Sequence, residues 1–440
     1  MDSLPKANTP PSAGQHFPPE MPKILGCKAV LNTYKSLGES LMSVIDKSHP
    51  THEWIKELRK RFPCEVEIDR VLTRKMHRRA GPPYTPVSLE TLVQGTEALL
   101  RSEIKDGFEI TEAKWLSGGA SKLQMEFKLT WNQPGVGRTT IPLVLRMEPS
   151  ESICETSRLR EFQIIKAMEG VVPVPPAYWV DPEGKFLPYP AIVYGFAVGV
   201  TKPSSVTRNV SGVGTYIPPE LRPILGAQFV DHYAKIHNFD WSKSKILTAF
   251  DKPKPGTDAV ALQLNWYERL WEEDANEDVP LMRLAMSWMR ANMPPVDKVS
   301  VIHGDYRTGN FLYTEHDNKI SSWLDWELAH MGDRHEDMAW TTSLTFGTMA
   351  EDGKTFLVGG FMPKDEFYAA YEKASGLTVD RKKLKFYDVF NTYKSANICL
   401  GTGSRVARSG KTHQDVLVAW LSGISYMVMN ELRTQLEEVL

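Results

Sequence analysis

The sequence is poor in cysteine and contains no long hydrophobic run. Only four of its 440 residues are cysteines, and no two of them form a CxxC pair: Cys27, Cys64, Cys154 and Cys399. This spacing excludes a disulfide framework and a cysteine-based zinc site, and it predicts reduced thiols. No stretch reaches the roughly 20 apolar residues that a membrane-spanning helix needs, and the N-terminus lacks the apolar core of a signal peptide. We therefore expect a soluble, cytoplasmic protein with no membrane partner.

The sequence also lacks an excess of charge of either sign. Its 52 Lys and Arg residues balance 54 Asp and Glu residues, and the formal net charge is -2. Such a balance gives no overall attraction for polyanions, so we predict no nucleic-acid partner. With 42% hydrophobic and 24% charged residues, the composition is typical of a globular protein large enough for two or three lobes.

One local cluster of positive charge departs from this balance. Residues 70–79 contain five cations, namely Arg70, Arg74, Lys75, Arg78 and Arg79. The simpler interpretation is a solvated helix face that ends before Gly81. A site for an acidic partner, or for the phosphate groups of a ligand, is the alternative.

Periodicity divides the chain into four segments. Residues 1–24 are rich in proline and small polar residues, which predicts a flexible N-terminal tail. Residues 25–107 have helical spacing, with Ser88 as a candidate helix start. Residues 108–199 have the period-two pattern of a small antiparallel β lobe with one inserted helix, and residues 200–440 predict a large helical lobe. We expect an α+β fold with a cleft between the two lobes, where ligands are commonly enclosed.

Polar residues crowd one stretch of the large lobe, VIHGDYRTGNFLYTEHDNKISSWLDWE, which begins at Val301. A short buried strand places Asp305 at its end, and a turn brings Asp325 back beside the first loop. Asn310 and Asp325 offer the oxygen ligands that Mg²⁺ prefers. Arg307 can face a transferring phosphoryl group, and Asp305 can accept a hydroxyl proton. These are the parts that phosphoryl transfer needs.

The spacing of these residues also resembles a known family. Asp305 and Asn310 have the separation found in the protein-kinase catalytic loop. The segments HGDYRTGN and LDWELAHMGDRHEDMAW resemble the aminoglycoside phosphotransferase/choline kinase group of the protein-kinase-like fold, over about residues 110–440. Within that group the chain most closely resembles the phosphotransferase-like domain fused to certain acyl-CoA dehydrogenases, and its free-standing bacterial relatives.

The resemblance implies a two-lobed protein-kinase-like fold with roles for individual residues of the large lobe. Asp305 would be the catalytic base, and Asn310 and Asp325 the Mg²⁺ ligands. Asp333 would start a helix, and Asp337 would brace the backbone of the catalytic loop. His303 is expected to hydrogen-bond backbone near that loop rather than to take part in the chemistry.

In the small lobe the resemblance implies a nucleotide site for ATP. The segment LSGGASK would cover the phosphates through Gly118, Gly119 and Ser121, although an ordinary tight turn has the same composition. Arg146 stands where kinases have a lysine and would hold the α- and β-phosphates, unless it is a solvent-exposed residue at a strand end. Glu161 is expected to pair with it.

The adenine pocket is expected at the segment AIVYGFAVG, where backbone groups from Tyr194 to Phe196 would bond the base. We call this segment the hinge. Relatives often have an acidic residue before the hinge, and this sequence has none. The sequence therefore predicts phosphoryl transfer but leaves the choice between ATP and GTP open.

The phosphoryl acceptor is expected among the last helices of the large lobe. Candidate contacts are Tyr393, Lys394, Asn397 and Arg405, although Tyr393 also fits a position in the core. An apolar pocket edged by cations would suit a hydroxy acid, a hydroxyacyl thioester of coenzyme A or a lipophilic alcohol. Acidic residues, which a polycationic aminoglycoside needs, are sparse there.

Two other functions fit parts of the pattern. A metal-dependent hydrolase could use a binuclear site built from His303, Asp305, Asp325, His330, His335 and Asp337, but it would leave Arg307 and Asn310 without a role. A catalytically weak binding protein on the kinase fold is the second alternative. The helical extension has three open interpretations: packing on the small lobe, a contact in a homodimer, or a shield over the substrate entrance.

Overall fold

The computed structural model describes residues 45–82, 85–116, 122–206, 215–410 and 413–440. The chain divides into the units Met1–Asp46 and Lys47–Leu440, and the fold below is that of the second unit. The predicted tail at residues 1–24 lies outside the described residues. Among those that are described, no helix has both the length and the apolar character needed to cross a membrane.

Three helices precede the sheet: α1 (His52–Arg61), α2 (Val66–Arg78) and α3 (Leu89–Glu103). The helix α3 begins where the sequence predicted, because the Ser88 side chain accepts a hydrogen bond from the backbone N–H of Thr91. Such a bond satisfies one of the donors left unpaired at a helix start. The boundary predicted at residue 107 stays a prediction.

The cationic cluster of α2 is only partly a solvated face. Lys75 and Arg79 are buried, at 1% and 6% exposure, and both pair with the carboxylate of Asp274. The interpretation as a solvated helix face is therefore wrong for these two residues. They are paired internally because an unpaired charge is costly to bury.

The small lobe is built on one antiparallel sheet of five strands in the order β1-β2-β3-β5-β4. Helix α4 lies between β3 and β4 in the chain, as the sequence predicted. Buried side chains of α3, such as Leu92 and Leu99, share the core of the sheet with Met125 and Phe127. The bounds are β1 (Glu109–Trp115), β2 (Leu123–Gln133), β3 (Gly137–Met147), α4 (Arg158–Met168), β4 (Ala177–Asp181) and β5 (Ala191–Gly195).

The large lobe is mostly helical, and its short strands carry the candidate site. Two antiparallel pairs, β6 with β9 and β7 with β8, lie among the helices. The elements up to the last of these strands are α5 (Arg222–Asn238), α6 (Asp258–Asp274), α7 (Pro280–Ala291), β6 (Val299–Ile302), β7 (Phe311–Thr314), β8 (Lys319–Trp323) and β9 (His330–Asp333).

The rest of the large lobe consists of helices and two paired strands of two residues each. A π-helical turn at Asn397–Thr402 joins α10 to α11. The remaining elements are α8 (Arg334–Thr341), β10 (Thr348–Met349), β11 (Phe356–Leu357), α9 (Lys364–Ser375), α10 (Arg381–Ala396), α11 (Gly403–Ser409) and α12 (Asp415–Glu437).

Aromatic side chains fix the polar loops on the core of the large lobe. The rings of Tyr306 and Trp323 stack with their centres 4.0 Å apart, and the Tyr306 hydroxyl donates to the carbonyl of Phe229 at 2.6 Å. Both rings are fully buried. Because Tyr306 follows Asp305 directly, this packing fixes the backbone on which the candidate catalytic carboxylate stands.

The observed architecture confirms the predicted α+β fold.

Candidate active site

The loop after β6 is held by Asp337, as the sequence analysis predicted. Its two carboxylate oxygens accept hydrogen bonds from the backbone N–H groups of His303, at 2.7 Å, and Gly304, at 2.8 Å. Gly304 has a φ of +84°, and a Cβ at this position would lie 2.7 Å from the Cβ of Leu328. Only glycine fits both conditions. The loop therefore leaves the strand along one defined path.

His303 and Asp333 support this loop from within the core. The Nε2 of His303 lies 3.1 Å from the carbonyl oxygen of Leu324, which links the two halves of the site. Burial lowers the pKa of His303 below its ordinary value, so the ring is neutral near pH 7. Asp333 caps α8 by accepting from the backbone N–H of His335. Both predicted structural roles are confirmed.

The carboxylate of Asp305 is held by three side-chain donors. Arg307 Nε and Trp340 Nε1 donate to Oδ1, at 2.8 and 2.7 Å, and Asn310 Nδ2 donates to Oδ2 at 2.6 Å. The Asn310 amide also donates to the Asp305 carbonyl oxygen at 2.9 Å. The structure thus brings together the three polar residues of the predicted loop. Donors on both oxygens fix the direction in which the carboxylate points.

Trp340 is a member of this site that the sequence analysis missed. It lies in α8, 35 positions beyond Asp305, in the segment that carries Asp337. A tryptophan on an amphipathic helix normally indicates core packing, so its indole N–H gave no signal in the sequence.

Arg146 links the sheet, helix α4 and the loop of Asp325. Its Nη1 donates to Glu161 Oε1 at 2.7 Å, and its Nη2 donates to Asp325 Oδ1 at 2.6 Å. The predicted pairing with Glu161 is confirmed. Arg146 is only 5% exposed, so the alternative of a solvent-exposed arginine is wrong. Its contact with nucleotide phosphates stays a prediction.

Asp325 itself has an uncommon backbone conformation. Its φ of +63° and ψ of +49° lie in the left-handed region, which aspartate tolerates better than most residues. A 3₁₀ turn, Trp326–Leu328, follows immediately. The backbone N–H of Leu324 donates to the carbonyl oxygen of Asn310 at 2.8 Å, which ties this bend to the first loop. The two predicted metal ligands therefore stand on neighbouring, bonded segments.

A buried ionic cluster surrounds Arg146, and the sequence analysis found only part of it. Lys122 bonds Glu148 at 2.8 Å and lies 3.1 Å from Glu327. Arg158 bonds Glu148 and Glu327, each at 2.8 Å, and also pairs with Glu161. We call the following residues the interlobe ionic cluster: Lys122, Arg146, Glu148, Arg158, Glu161, Asp325 and Glu327.

The pKa values in this cluster follow from burial and charge together. Burial alone would raise the pKa of Glu327, but Lys122, Arg146 and Arg158 overcome this effect and hold the pKa well below its ordinary value. For Glu161 burial prevails over Arg146 and Arg158, and the pKa is raised. A buried carboxylate needs such cations because it loses hydration.

The residues predicted to hold Mg²⁺ fit that ion by their donor atoms. Within the described part of the chain, hydrogen bonds engage the amide nitrogen of Asn310 and the Oδ1 of Asp325. The amide oxygen of Asn310 and the Oδ2 of Asp325 remain as hard oxygen donors. The interlobe ionic cluster has four carboxylates and three cations, and Asp325, at 32% side-chain exposure, is accessible to a further cation.

The structure places only part of the predicted nucleotide site. Gly118, Gly119 and Ser121 lie outside the described residues. Tyr194 is half-buried, and burial raises the pKa of its hydroxyl to about 12. The backbone N–H of Phe196 already donates to the carbonyl of Pro142 at 3.0 Å. Adenine binding at this hinge stays a prediction.

The four residues predicted to contact the acceptor do not form one group. Tyr393 is 1% exposed and belongs to the large-lobe core. The Asn397 amide donates to the carbonyl of Tyr267 at 2.5 Å. Arg405 pairs with Glu151, and its Nε lies 3.2 Å from an oxygen of Asp274. All three have internal partners, so their role as substrate contacts stays a prediction.

Lys394 alone among the four lies next to the catalytic loop. Its Nζ is 5.5 Å from the ring centre of Trp340, the side chain that bonds Asp305. The same Nζ bonds Glu336 Oε1 at 2.7 Å. Lys394 therefore contacts the site only indirectly, through Trp340, and its role as a substrate contact stays a prediction.

The histidines and aspartates that suggested a binuclear hydrolase have other partners. His330 pairs with Glu336, at 3.1 Å, and His335 pairs with Asp333, at 2.6 Å. No group of three or more His, Cys, Asp or Glu side chains in the described ranges is arranged to hold a metal ion. The geometry therefore gives no support to the hydrolase alternative.

Comparison with known proteins agrees with the features of this site. Residues 116–387, more than half of the chain, match the phosphotransferase enzyme family. The chain belongs to this family. A solved structure of a candidate aminoglycoside phosphotransferase from Ralstonia eutropha JMP134 has a TM-score of 0.55 at 19% identity, over 79% of this chain and 98% of that chain. This likeness confirms the predicted kinase-like fold.

The curated relatives are longer proteins. Acyl-CoA dehydrogenase family member 11 of Gallus gallus is 26% identical over 40% of this chain, and the alignment covers 23% of the relative. The probable acyl-CoA dehydrogenase IBR3 of Arabidopsis thaliana is 24% identical over 62% of this chain and 34% of the relative. The matched part of this chain therefore covers about a quarter to a third of these proteins, and the predicted similarity to them is confirmed.

Proposed function

We propose that the protein is a kinase that transfers the γ-phosphoryl group of ATP to a hydroxyl group of a small molecule, with Mg²⁺. The observation that carries this proposal is the held carboxylate of Asp305, bonded by Arg307, Asn310 and Trp340. A carboxylate fixed in this way can accept the proton of an attacking hydroxyl. The hydroxyl oxygen then bonds the γ-phosphorus, the bond from that phosphorus to the β–γ bridging oxygen breaks, and ADP leaves.

Other residues of the chain would bind the metal ion and the phosphate groups. Bound Mg²⁺ would supply charge neutralisation on the phosphates, and Asn310 and Asp325 would hold it. Arg307 would lie against the transferring group, where positive charge stabilises the transition state. Arg146 would contact the α- and β-phosphates while Glu161 fixes its position.

We propose that the acceptor hydroxyl belongs to a molecule with an apolar segment, such as a hydroxyacyl thioester of coenzyme A or a related catabolic alcohol. The ring of Trp340 lies 4.7 Å from that of Phe346, and Leu344 and Met349 nearby in the chain are 69% and 48% exposed. Apolar side chains beside the base would bind such a segment. The names of the curated relatives point to acyl thioester metabolism in those proteins.

An aminoglycoside acceptor is the less favoured candidate. These antibiotics carry several positive charges, and Arg307 stands directly beside Asp305 with its guanidinium carbon 5.5 Å from the centre of the Phe346 ring. A cation at this point would repel a polycationic ligand. A catalytically weak binding protein is the other alternative, because Arg146 replaces the usual lysine and the hinge lacks an acidic residue.

The test compares wild type with Asp305→Asn in two assays. ATP-dependent phosphorylation is screened over hydroxyacyl-CoAs, alcohols and aminoglycosides, and thermal stability is measured with and without ATP and Mg²⁺. We expect Asp305→Asn to lower turnover by about 10²–10⁴-fold, the usual contribution of a general base. The stabilisation by ligand at 100 times its Kd, about 2.7 kcal/mol, should persist in the variant.

The matched control is Asp317→Asn, the same change in the exposed turn between β7 and β8, which should leave both readouts unchanged. Stabilisation by ATP without turnover on any acceptor would establish the binding-protein alternative. Full turnover by Asp305→Asn would show that another residue is the base.

A further inference from the structure

The helix α12 exposes an apolar face that the described chain leaves open to solvent. Residues 416–430 of this helix contain no charged side chain over 15 positions. Four large apolar side chains project from it, namely Val416 (85% exposed), Trp420 (42%), Tyr426 (83%) and Met427 (71%). Solvated helices normally carry charges on the outer face, so this composition indicates a face that is covered in the assembled protein.

The exposed residues lie along one stripe of the helix. At 100° per residue, positions 416, 419, 420, 423, 426, 427 and 430 fall within about a third of the circumference. All of them are exposed. The opposite stripe is buried through Val418, Leu421, Leu432 and Leu436. The helix therefore has two apolar faces, and within the described residues only the face with Leu421 and Leu432 packs on the rest of the chain. We call the exposed one the α12 face.

The α12 face is complementary to itself. Gly423 lies at its centre, and a Cβ at this position would meet no atom within 4 Å. If two copies of α12 cross antiparallel at Gly423, residues equally far from it lie level with each other across the contact. Ala419 of one copy then stands level with Met427 of the other, and Val416 with Asn430. Ala419 opposite Met427 combines a small with a large side chain, and by the same rule Trp420 of one copy stands level with Tyr426 of the other, so that two aromatic rings meet in the contact.

The size of the face also suits a second copy. Its four large side chains expose roughly 500 Å², if a fully exposed large side chain offers about 150–250 Å². A standard interface buries about 800 Å² per partner. The four side chains would therefore form the apolar centre of such an interface. Asp415 and Glu431, which flank the uncharged run, supply a polar rim, as interfaces usually have.

We propose that two copies of this chain form a homodimer through the α12 face, with a twofold axis beside Gly423. A twofold axis makes each residue of the patch contact the same patch on the other copy. The proposal does not depend on the proposed function, because the α12 face contains none of the residues assigned to phosphoryl transfer.

The first test is the mass of the full chain by sedimentation velocity, from about 1 to about 100 µM, where a modest interface dissociates. We expect twice the chain mass of 49.7 kDa. Met427→Glu and Val416→Glu should weaken the dimer at least about tenfold, because each buries a charge at the contact. Val136→Glu is the matched control, since Val136 is 68% exposed in the turn between β2 and β3. It should leave the dimer intact.

A second test depends on geometry and not on loss of binding. Gly423→Cys should form an intermolecular disulfide on mild oxidation, because the axis brings the two positions within the 4.4–6.8 Å that a disulfide requires between Cα atoms. Ser422→Cys, on the same helix but off the face, should form none. A monomeric wild type at every concentration would overturn the proposal, as would a dimer that resists both glutamate variants or forms no disulfide through Gly423→Cys.

Discussion

The bridging position of Arg146 gives a prediction whose size follows from the structure. This side chain bonds Glu161 and Asp325 at 2.7 and 2.6 Å and lies 3.3 Å from Glu327. Arg146→Met keeps the apolar stem but leaves those carboxylates without their shared cation. Breaking a buried ion pair from one side costs about 3–5 kcal/mol, which is a large part of a typical stability of about 5–15 kcal/mol.

The assay is equilibrium unfolding in guanidinium chloride, followed by tryptophan fluorescence. Arg59→Met serves as control, because Arg59 makes an equally short pair with Asp69 but is half-exposed. An exposed pair contributes only about 0–1 kcal/mol. Adding Glu161→Gln to Arg146→Met should restore roughly 1–3 kcal/mol, since it removes one of the carboxylates that Arg146→Met leaves without a cation.

Two results would refute this reasoning. If Arg146→Met costs no more than Arg59→Met, the carboxylates around Arg146 are hydrated or protonated and do not depend on it. If Glu161→Gln adds its full separate cost to that of Arg146→Met, the two side chains do not interact, whatever their distance.

Three further predictions concern other parts of the large lobe. Gly304→Ala should lower the unfolding free energy by at least about 1 kcal/mol and reduce turnover, because of its positive φ and the contact with Leu328; an unchanged melting temperature would contradict this. Trp340→Phe should reduce kcat about tenfold with little change in KM for ATP, because only the hydrogen bond to Asp305 is lost; an altered nucleotide KM alone would contradict this. Burial raises the pKa of Asp388 from 3.8 to about 6. Between these two pH values the folded protein keeps a proton on Asp388 that the unfolded chain has lost, so the fold loses stability as the pH rises from about 4 to 6. Asp388→Asn should therefore melt at a higher temperature than wild type at pH 8 and at the same temperature at pH 4. An equal gain at both pH values would show that the gain does not come from the ionisation of Asp388.

The sequence was informative where the relevant residues are close together in the chain. The period-two segments predicted β2 and β3, and the spacing of Asp305, Arg307 and Asn310 predicted a group that the structure brings into hydrogen-bond contact. Short spacings suffice there because a strand and the loop after it fix where consecutive side chains point.

Contacts between distant segments were not predictable in the same way. Trp340 reaches Asp305 from another helix, and Lys122 meets Glu327 across 205 positions. A lysine or a tryptophan has the same appearance in the sequence whether it is exposed or paired in the core. Tyr393 and Arg405 illustrate the opposite case, because residue type suggested ligand contacts where the fold provides internal partners.

The attachment of α4 through two of its residues has a consequence for the regulation of the proposed kinase. Protein kinases commonly control activity by whether the helix glutamate pairs with the phosphate-binding cation. In this chain α4 is attached through two of its own residues: Glu161 bonds Arg146 of the sheet, and Arg158 bonds Glu148 and Glu327. Swinging α4 outward would strand several charges at once, at a cost of about 3 kcal/mol or more. Fewer than about one molecule in a hundred would then populate such a state. These ion pairs thus favour the observed position of α4, and in the proposed kinase control of activity would then act on substrate access or on abundance.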